Sequence, residues 1–157
     1  SRADGGPDYR RFDARPFWFG GDDAPILELP CTGGFVGWTG GAALPLFEAA
    51  QVFRKFKVPG ILSRLGAVDR LMLSPEGFSP AEHIKLTRAL FKKGVRTFTR
   101  SFHSPSVVPG NTSYVQDDAQ LRHFLDSFRR YFDFFFNELG GQASTPTRIR
   151  DFMESMA

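Results

Sequence analysis

Apolar residues recur at helical spacing in several stretches of the chain and alternate with polar ones in others. Leu46, Phe47, Ala50 and Phe53 predict a helix over Pro45 to Phe56, and Pro59 to Leu65 adds a shorter one. Further on, Ser79 caps a helix with Pro80 at its first position and Glu82 completing a capping box, and Gly94 ends it after Lys92 and Lys93. Leu121, Phe124, Leu125, Phe128, Phe132, Phe135, Phe136 and Leu139 form one apolar stripe on a long helix from Asp118 to Leu139, closed by Gly140 and Gly141. Thr145-Pro146-Thr147 opens a final helix through Met156.

Strands are expected between these helices. Ile26 to Leu29 is a short apolar run that predicts a buried strand stopped by Pro30, and Val68 to Leu73 predicts a second that ends at the turn Ser74-Pro75-Glu76-Gly77. Val95 to His103 alternates, which predicts a third strand with His103 at its carboxyl end. The glycine-rich stretch Gly33 to Gly41 is expected to be a flexible surface loop, and the aromatic but broken stretch Asp8 to Pro25 an irregular one. Strands alternating with helices point to an α/β architecture with a parallel sheet, in a barrel or a doubly wound layer.

Composition adds limits to this picture. The 157 residues are 41% hydrophobic and 24% charged, enough for one ordinary globular domain. Phe accounts for 18 of the aromatic residues, against three Tyr and two Trp, which predicts a large aromatic core. No apolar run approaches the roughly 18 residues of a membrane span, so none is expected. The net charge of +3 is unevenly placed: residues 53 to 100 carry 11 basic and 3 acidic groups, and both flanking segments are acidic overall. Most of these cations fall on expected helix surfaces, and no basic region, paired Cys/His finger or aromatic stacking motif accompanies them, so nucleic acid is not an expected partner. The chain opens Ser1-Arg2-Ala3 without an initiator Met, which makes a fragment of a longer protein the expectation.

In parallel α/β folds the chemistry gathers at the carboxyl ends of the strands. Three segments fall there: Glu28 to Thr32, Ser74 to Gly77, and His103 to Ser106. His103 is the most informative, because a long loop of turn formers follows it and an imidazole at such a place can donate a proton near neutral pH. The alternative is a histidine hydrogen-bonded into a strand-end turn. Cys31 could pair with His103 only if their strands are neighbours, and a lone cysteine there is more often an inert thiol. His83 and His123 lie on helices without a second ligand one turn on.

The segments Leu73-Ser74-Pro75-Glu76-Gly77, Leu86-Thr87-Arg88-Ala89-Leu90, Phe102-His103-Ser104-Pro105-Ser106 with Pro109-Gly110, and the Phe-rich helix ending Glu138-Leu139-Gly140-Gly141 resemble the carboxyl-terminal half of bacterial polysaccharide deacetylases, the NodB-homology enzymes of carbohydrate esterase family four. The likeness implies that residues 1–157 are the second half of one incomplete (β/α)7 barrel, since a closed barrel needs about 250 residues. It implies removal of N- or O-acetyl groups from a sugar polymer with a divalent metal, usually zinc, to activate water. His103 matches the late-strand histidine that acts as acid, and Glu28, Glu76, Ser104 and Ser106 fall on loops expected to shape the sugar cleft. The family's Thr-Phe-Asp-Asp and His-x-x-x-His segments are absent from this sequence, so the metal is expected on residues outside it, in the missing amino-terminal half. A non-catalytic carbohydrate-binding or scaffold member of the same fold is the alternative, and a basic interaction module a further one.

Overall fold

A computed structural model describes residues 13–21, 25–39 and 42–156. The architecture is mixed α/β, with two small antiparallel sheets in place of the parallel sheet expected. In the first, β1 (Phe17–Phe19) pairs with β2 (Ile26–Glu28), Phe17 opposite Glu28. β2 is a surface strand, not the buried one its apolar residues suggest, with Ile26 63% exposed. In the second, β3 (Gly33–Val36) runs against β4 (Asp69–Met72), Gly33 opposite Met72 and Val36 opposite Asp69.

The glycines of β3 permit close packing, which is why the first four residues of the expected Gly33 to Gly41 loop form a strand; Gly37 to Thr39 are a bend and turn, and Gly40 and Gly41 lie outside the described residues. A side chain at Gly34 would press on Leu86 and Leu90 at 3.3–3.4 Å, so α3 (Pro80–Lys92) can lie directly across the sheet. At Gly37, φ is +138° and a Cβ would collide with the Ala67 backbone. Between β3 and β4 the chain forms α1 (Ala43–Val52), a 3-10 turn (Arg54–Phe56) and α2 (Val58–Arg64).

The capping box at Ser79 and Glu82 forms as expected: Ser79 Oγ accepts from the Glu82 amide, and the Glu82 carboxylate accepts from the Ser79 amide at 2.6 Å. α4 (Asp118–Asp133) continues into a π turn (Phe134–Glu138). Its buried side is Phe124, Ser127, Tyr131 and Phe134, rotated from the expected Leu/Phe stripe, so Leu125, Phe132 and Phe136 keep about two-fifths of their surface. The core joins Val36, Leu71 and Leu73 of the β3/β4 layer to Leu86 and Leu90 of α3, Val95, and Tyr131 and Phe134. α5 (Pro146–Ser155), capped by Thr145, buries no residue.

Residues 95–103 form no strand. The segment is extended and tied at a few points: Thr32 donates to the Thr99 carbonyl (3.2 Å), Ser101 to that of Leu73 (3.2 Å), and the Thr99 amide to Thr32 Oγ1 (2.8 Å). Thr32 is buried, and its carbonyl also accepts from the Leu73 amide at 2.8 Å. It therefore stitches the segment to β4 through side chain and backbone where a regular ladder is missing. No closed barrel is present among the described residues, and none of their helices is long and apolar enough to cross a membrane.

Candidate active site

The turn after β4 places the first component. Ser74 Oγ accepts from the Glu76 amide at 3.3 Å, and Gly77, at φ 88°, swings the chain toward the Ser79 cap. Glu76 is thus held between β4 and α3 with its side chain only 5% exposed. The second component arrives where the Ser101 bond to Leu73 brings the extended segment alongside. His103 caps a 3-10 turn (Ser104–Val107), with the Ser106 amide donating to the His103 carbonyl at 2.9 Å. Pro105 suits the first turn, and the following loop is closed by the Gly110 amide on the Val115 carbonyl (2.9 Å) with Val115 fully buried.

Three donors converge on the Glu76 carboxylate. The His103 amide reaches Oε1 at 3.0 Å, Ser106 Oγ reaches the same oxygen at 2.5 Å, and His103 Nδ1 lies 2.6 Å from Oε2. Burial alone would push the Glu76 carboxyl up, but the Ser106 hydroxyl and the two His103 donors outweigh it and hold the group below its ordinary value. An ionised carboxylate only accepts, so Nδ1 carries a proton and Nε2 is the nitrogen left for chemistry. The His103 side chain is 78% exposed, so the imidazole stands in solvent above a buried anchor. Ser106 spends its one proton on Glu76, so in its 3.1 Å contact with Thr112 the Thr112 hydroxyl is the donor. The proton order from Thr112 through Ser106 to Glu76 is fixed.

The structure brings together His103, Glu76 and Ser106 of the residues singled out in the sequence, and gives Ser106 a different place from the cleft wall expected. It has no exposed surface and supports the carboxylate from behind. Ser104 is exposed on the 3-10 turn. Glu28 is exposed on β2, in the sheet that does not contain β4. Cys31 is an exposed thiol between β2 and β3, and His123 is exposed on α4. Sequence reasoning did not anticipate Thr112 or the pairing of Glu76 with His103; the signal available was a single carboxylate in the turn after one expected strand and a histidine at the end of the next.

A second polar cluster lies behind the first. His83 on α3 is fully buried, with Nε2 donating to the Ser74 carbonyl at 2.7 Å and its ring edge-on to Tyr131. Tyr131 OH pairs with Thr87 Oγ1 at 3.1 Å. Arg100 stacks over Phe128 and Tyr131 and donates to the Ser127 carbonyl (3.2 Å) and hydroxyl (3.0 Å). Burial pushes His83 below its ordinary value and brings Arg100 down to about 10. His83 Nδ1 and Arg100 Nε find no partner among the described residues.

Among the described residues no three His, Cys, Asp or Glu side chains converge as metal ligands. The zinc implied by the resemblance is expected on residues outside this sequence, so these residues neither hold it nor bear on it. No family model, curated protein or solved structure matches the chain.

Proposed function

We propose that the chain is the carboxyl-terminal part of a polysaccharide deacetylase domain, an incomplete (β/α)7 barrel, in which His103 is the general acid and Glu76 positions it. The observation that carries this reading is a solvent-facing imidazole whose Nδ1 is hydrogen-bonded to a buried, ionised carboxylate. A histidine that only staples a turn has no need of an exposed second nitrogen. In the acid form both ring nitrogens carry protons. Nε2 gives its proton to the leaving amine nitrogen, or ester oxygen, as its bond to the acetyl carbon breaks, and the ring returns to the neutral Nδ1–H tautomer that Glu76 holds. The residues Leu73 to Gly77 and Phe102 to Ser106, which carry the family resemblance, are the two segments that meet at this pair.

The test uses the full-length gene product on acetylated oligosaccharides, with and without a chelator. Chelator-sensitive deacetylation that falls by about 10²–10⁴-fold in His103→Ala is expected. Wild-type turnover in His103→Ala overturns the acid assignment, and sugar binding with no turnover in the unmodified protein makes the domain a carbohydrate-binding member instead.

A further inference from the structure

Residues 49–68 combine positive charge with exposed apolar side chains. They hold four cations, Arg54, Lys55, Lys57 and Arg64, and no acidic residue. The same stretch leaves Val52, Phe53, Phe56, Ile61 and Leu65 each more than half exposed. Val52, Phe53 and Phe56 sit at the junction of α1 and α2, where the chain turns through Lys57 at φ 58°. Ile61 on α2 and Leu65 just past its end lie one helical turn apart, the Leu65 amide donating to the Ile61 carbonyl at 3.0 Å. Trp38, 76% exposed, joins them, because its Nε1 donates to the Leu65 carbonyl at 3.3 Å and its amide to that of Gly66.

Isolated exposed apolar side chains are ordinary, but five large ones on one short helical hairpin, with Trp38 bonded beside them, mark an interaction surface. The charge identifies the occupant. A neutral protein face would satisfy the apolar side chains and leave the cations uncompensated, and a nucleic acid would do the reverse. A bilayer with anionic headgroups serves both at once: Phe, Val, Ile and Leu enter the acyl boundary, Trp sits at the headgroup level, and Lys and Arg reach the phosphates. α2 has seven residues, so the element can lie on a bilayer and cannot cross it.

We infer that the α1–α2 hairpin, with Trp38, docks the protein peripherally on an anionic lipid surface. Cosedimentation of the full-length gene product with phosphatidylcholine vesicles, with and without one third phosphatidylserine, tests this. Binding by residues 1–157 alone that the full-length product lacks would show that the rest of the domain covers the patch and would overturn the inference. At roughly fivefold per cation near the surface, the exposed Lys55, Lys57 and Arg64 should raise partitioning on the order of a hundredfold in the anionic vesicles, and about 1 M salt should remove the gain. Lys55→Glu with Lys57→Glu, at exposed positions and with unchanged circular dichroism, should cut anionic binding at least tenfold. Phe56→Ser should weaken it too, while the same charge reversal at Lys92 and Lys93 should not. Absence of binding, equal binding to neutral vesicles, or an equal loss from the Lys92/Lys93 control overturns the inference. So does self-association that Phe56→Ser abolishes without vesicle binding, because a second copy then covers the patch.

Discussion

His83 and His103 both reach the turn that follows β4, one bonded to the Ser74 carbonyl and the other to the Glu76 carboxylate two residues on. Their surroundings are opposite. His83 is buried against Tyr131 and the α3 core, its hydrogen-bond partner is neutral, and its Nδ1 has no partner among the described residues. Burial without a neighbouring carboxylate bond favours the uncharged ring, so proton exchange at His83 is suppressed. His103 has its charged partner beneath it and solvent above, an arrangement that permits both protonation states without unpairing the carboxylate. Under the proposed function, one fixed and one accessible nitrogen suit His103 to proton transfer, whereas the two enclosed nitrogens of His83 suit it to packing.

The widest separation between the two comes from removing each ring. His103→Ala should lower deacetylation by the full-length protein by about 10²–10⁴-fold, read as kcat/KM, while shifting stability by about 1 kcal/mol, because water entering the space of the exposed ring replaces its bond to Glu76 Oε2. His83→Ala should do the reverse, costing about 2–4 kcal/mol in denaturant unfolding through the cavity and the orphaned Ser74 carbonyl. Equal stability losses in the two variants would erase the distinction.

Glu76→Gln sharpens the functional half. The amide offers one acceptor where the carboxylate offered two, and its NH₂ group must face either Ser106 or Nδ1–H, both donors. A loss of about 1–3 kcal/mol is expected from the unsatisfied buried group, together with a shift of His103 toward the Nε2–H tautomer visible in ¹⁵N ring spectra. An unchanged tautomer would show that Glu76 does not orient the ring.

How far this arrangement could be read from the chain depends on the range of the forces involved. Local signals were strong: Ser79, Pro80 and Glu82 form the capping box their spacing implies, and Val68 to Leu73 contains β4. Signals set by tertiary partners were not. Alternation in Val95 to His103 indicated a strand, but Thr32 supplies the bonds that a neighbouring strand would have made. The glycines of β3 looked like a loop because the reason for them, Leu86 and Leu90 pressing on Gly34, lies some fifty residues away. His103 and Glu76 were each visible as strand-end candidates, yet their bond and the hydroxyls of Ser106 and Thr112 behind it depend on how two turns meet. Glu28 was equally eligible by position and lies exposed in the other sheet.

The two clusters should also separate along the pH axis. His83 is held below its ordinary 6.5, so its contribution to stability is complete above that pH and is lost as pH falls through the folded value. Glu76 is held below its ordinary 4.5, and its contribution is complete above that pH and lost only at greater acidity. Stability measured by urea unfolding should therefore decline in two stages, the first beginning near pH 6.5 and the second near 4.5. His83→Gln should remove the first stage and Glu76→Gln should shrink the second, to which Asp13, held below its ordinary value by Arg15, also contributes. A single decline that both variants alter alike would mean that the clusters titrate as one.

The smallest effect is expected at Arg100, the charged member of the buried cluster. Among the described residues its guanidinium bonds to Ser127, lies over Phe128 at 4.2 Å, and leaves Nε without a partner. Desolvation of the cation is offset by aromatic faces and neutral acceptors, and by no carboxylate bond. Met has similar reach and no charge, so Arg100→Met exchanges the stacking energy for relief of that desolvation, and Ser127 Oγ keeps its 2.7 Å bond to the Phe124 carbonyl. Unfolding free energy should stay within about 1 kcal/mol of the parent, in contrast to His83→Ala a few residues' packing away. A loss above about 2 kcal/mol would show that the cation–π stack on α4 holds the cluster together and that Arg100, not His83, is its structural centre.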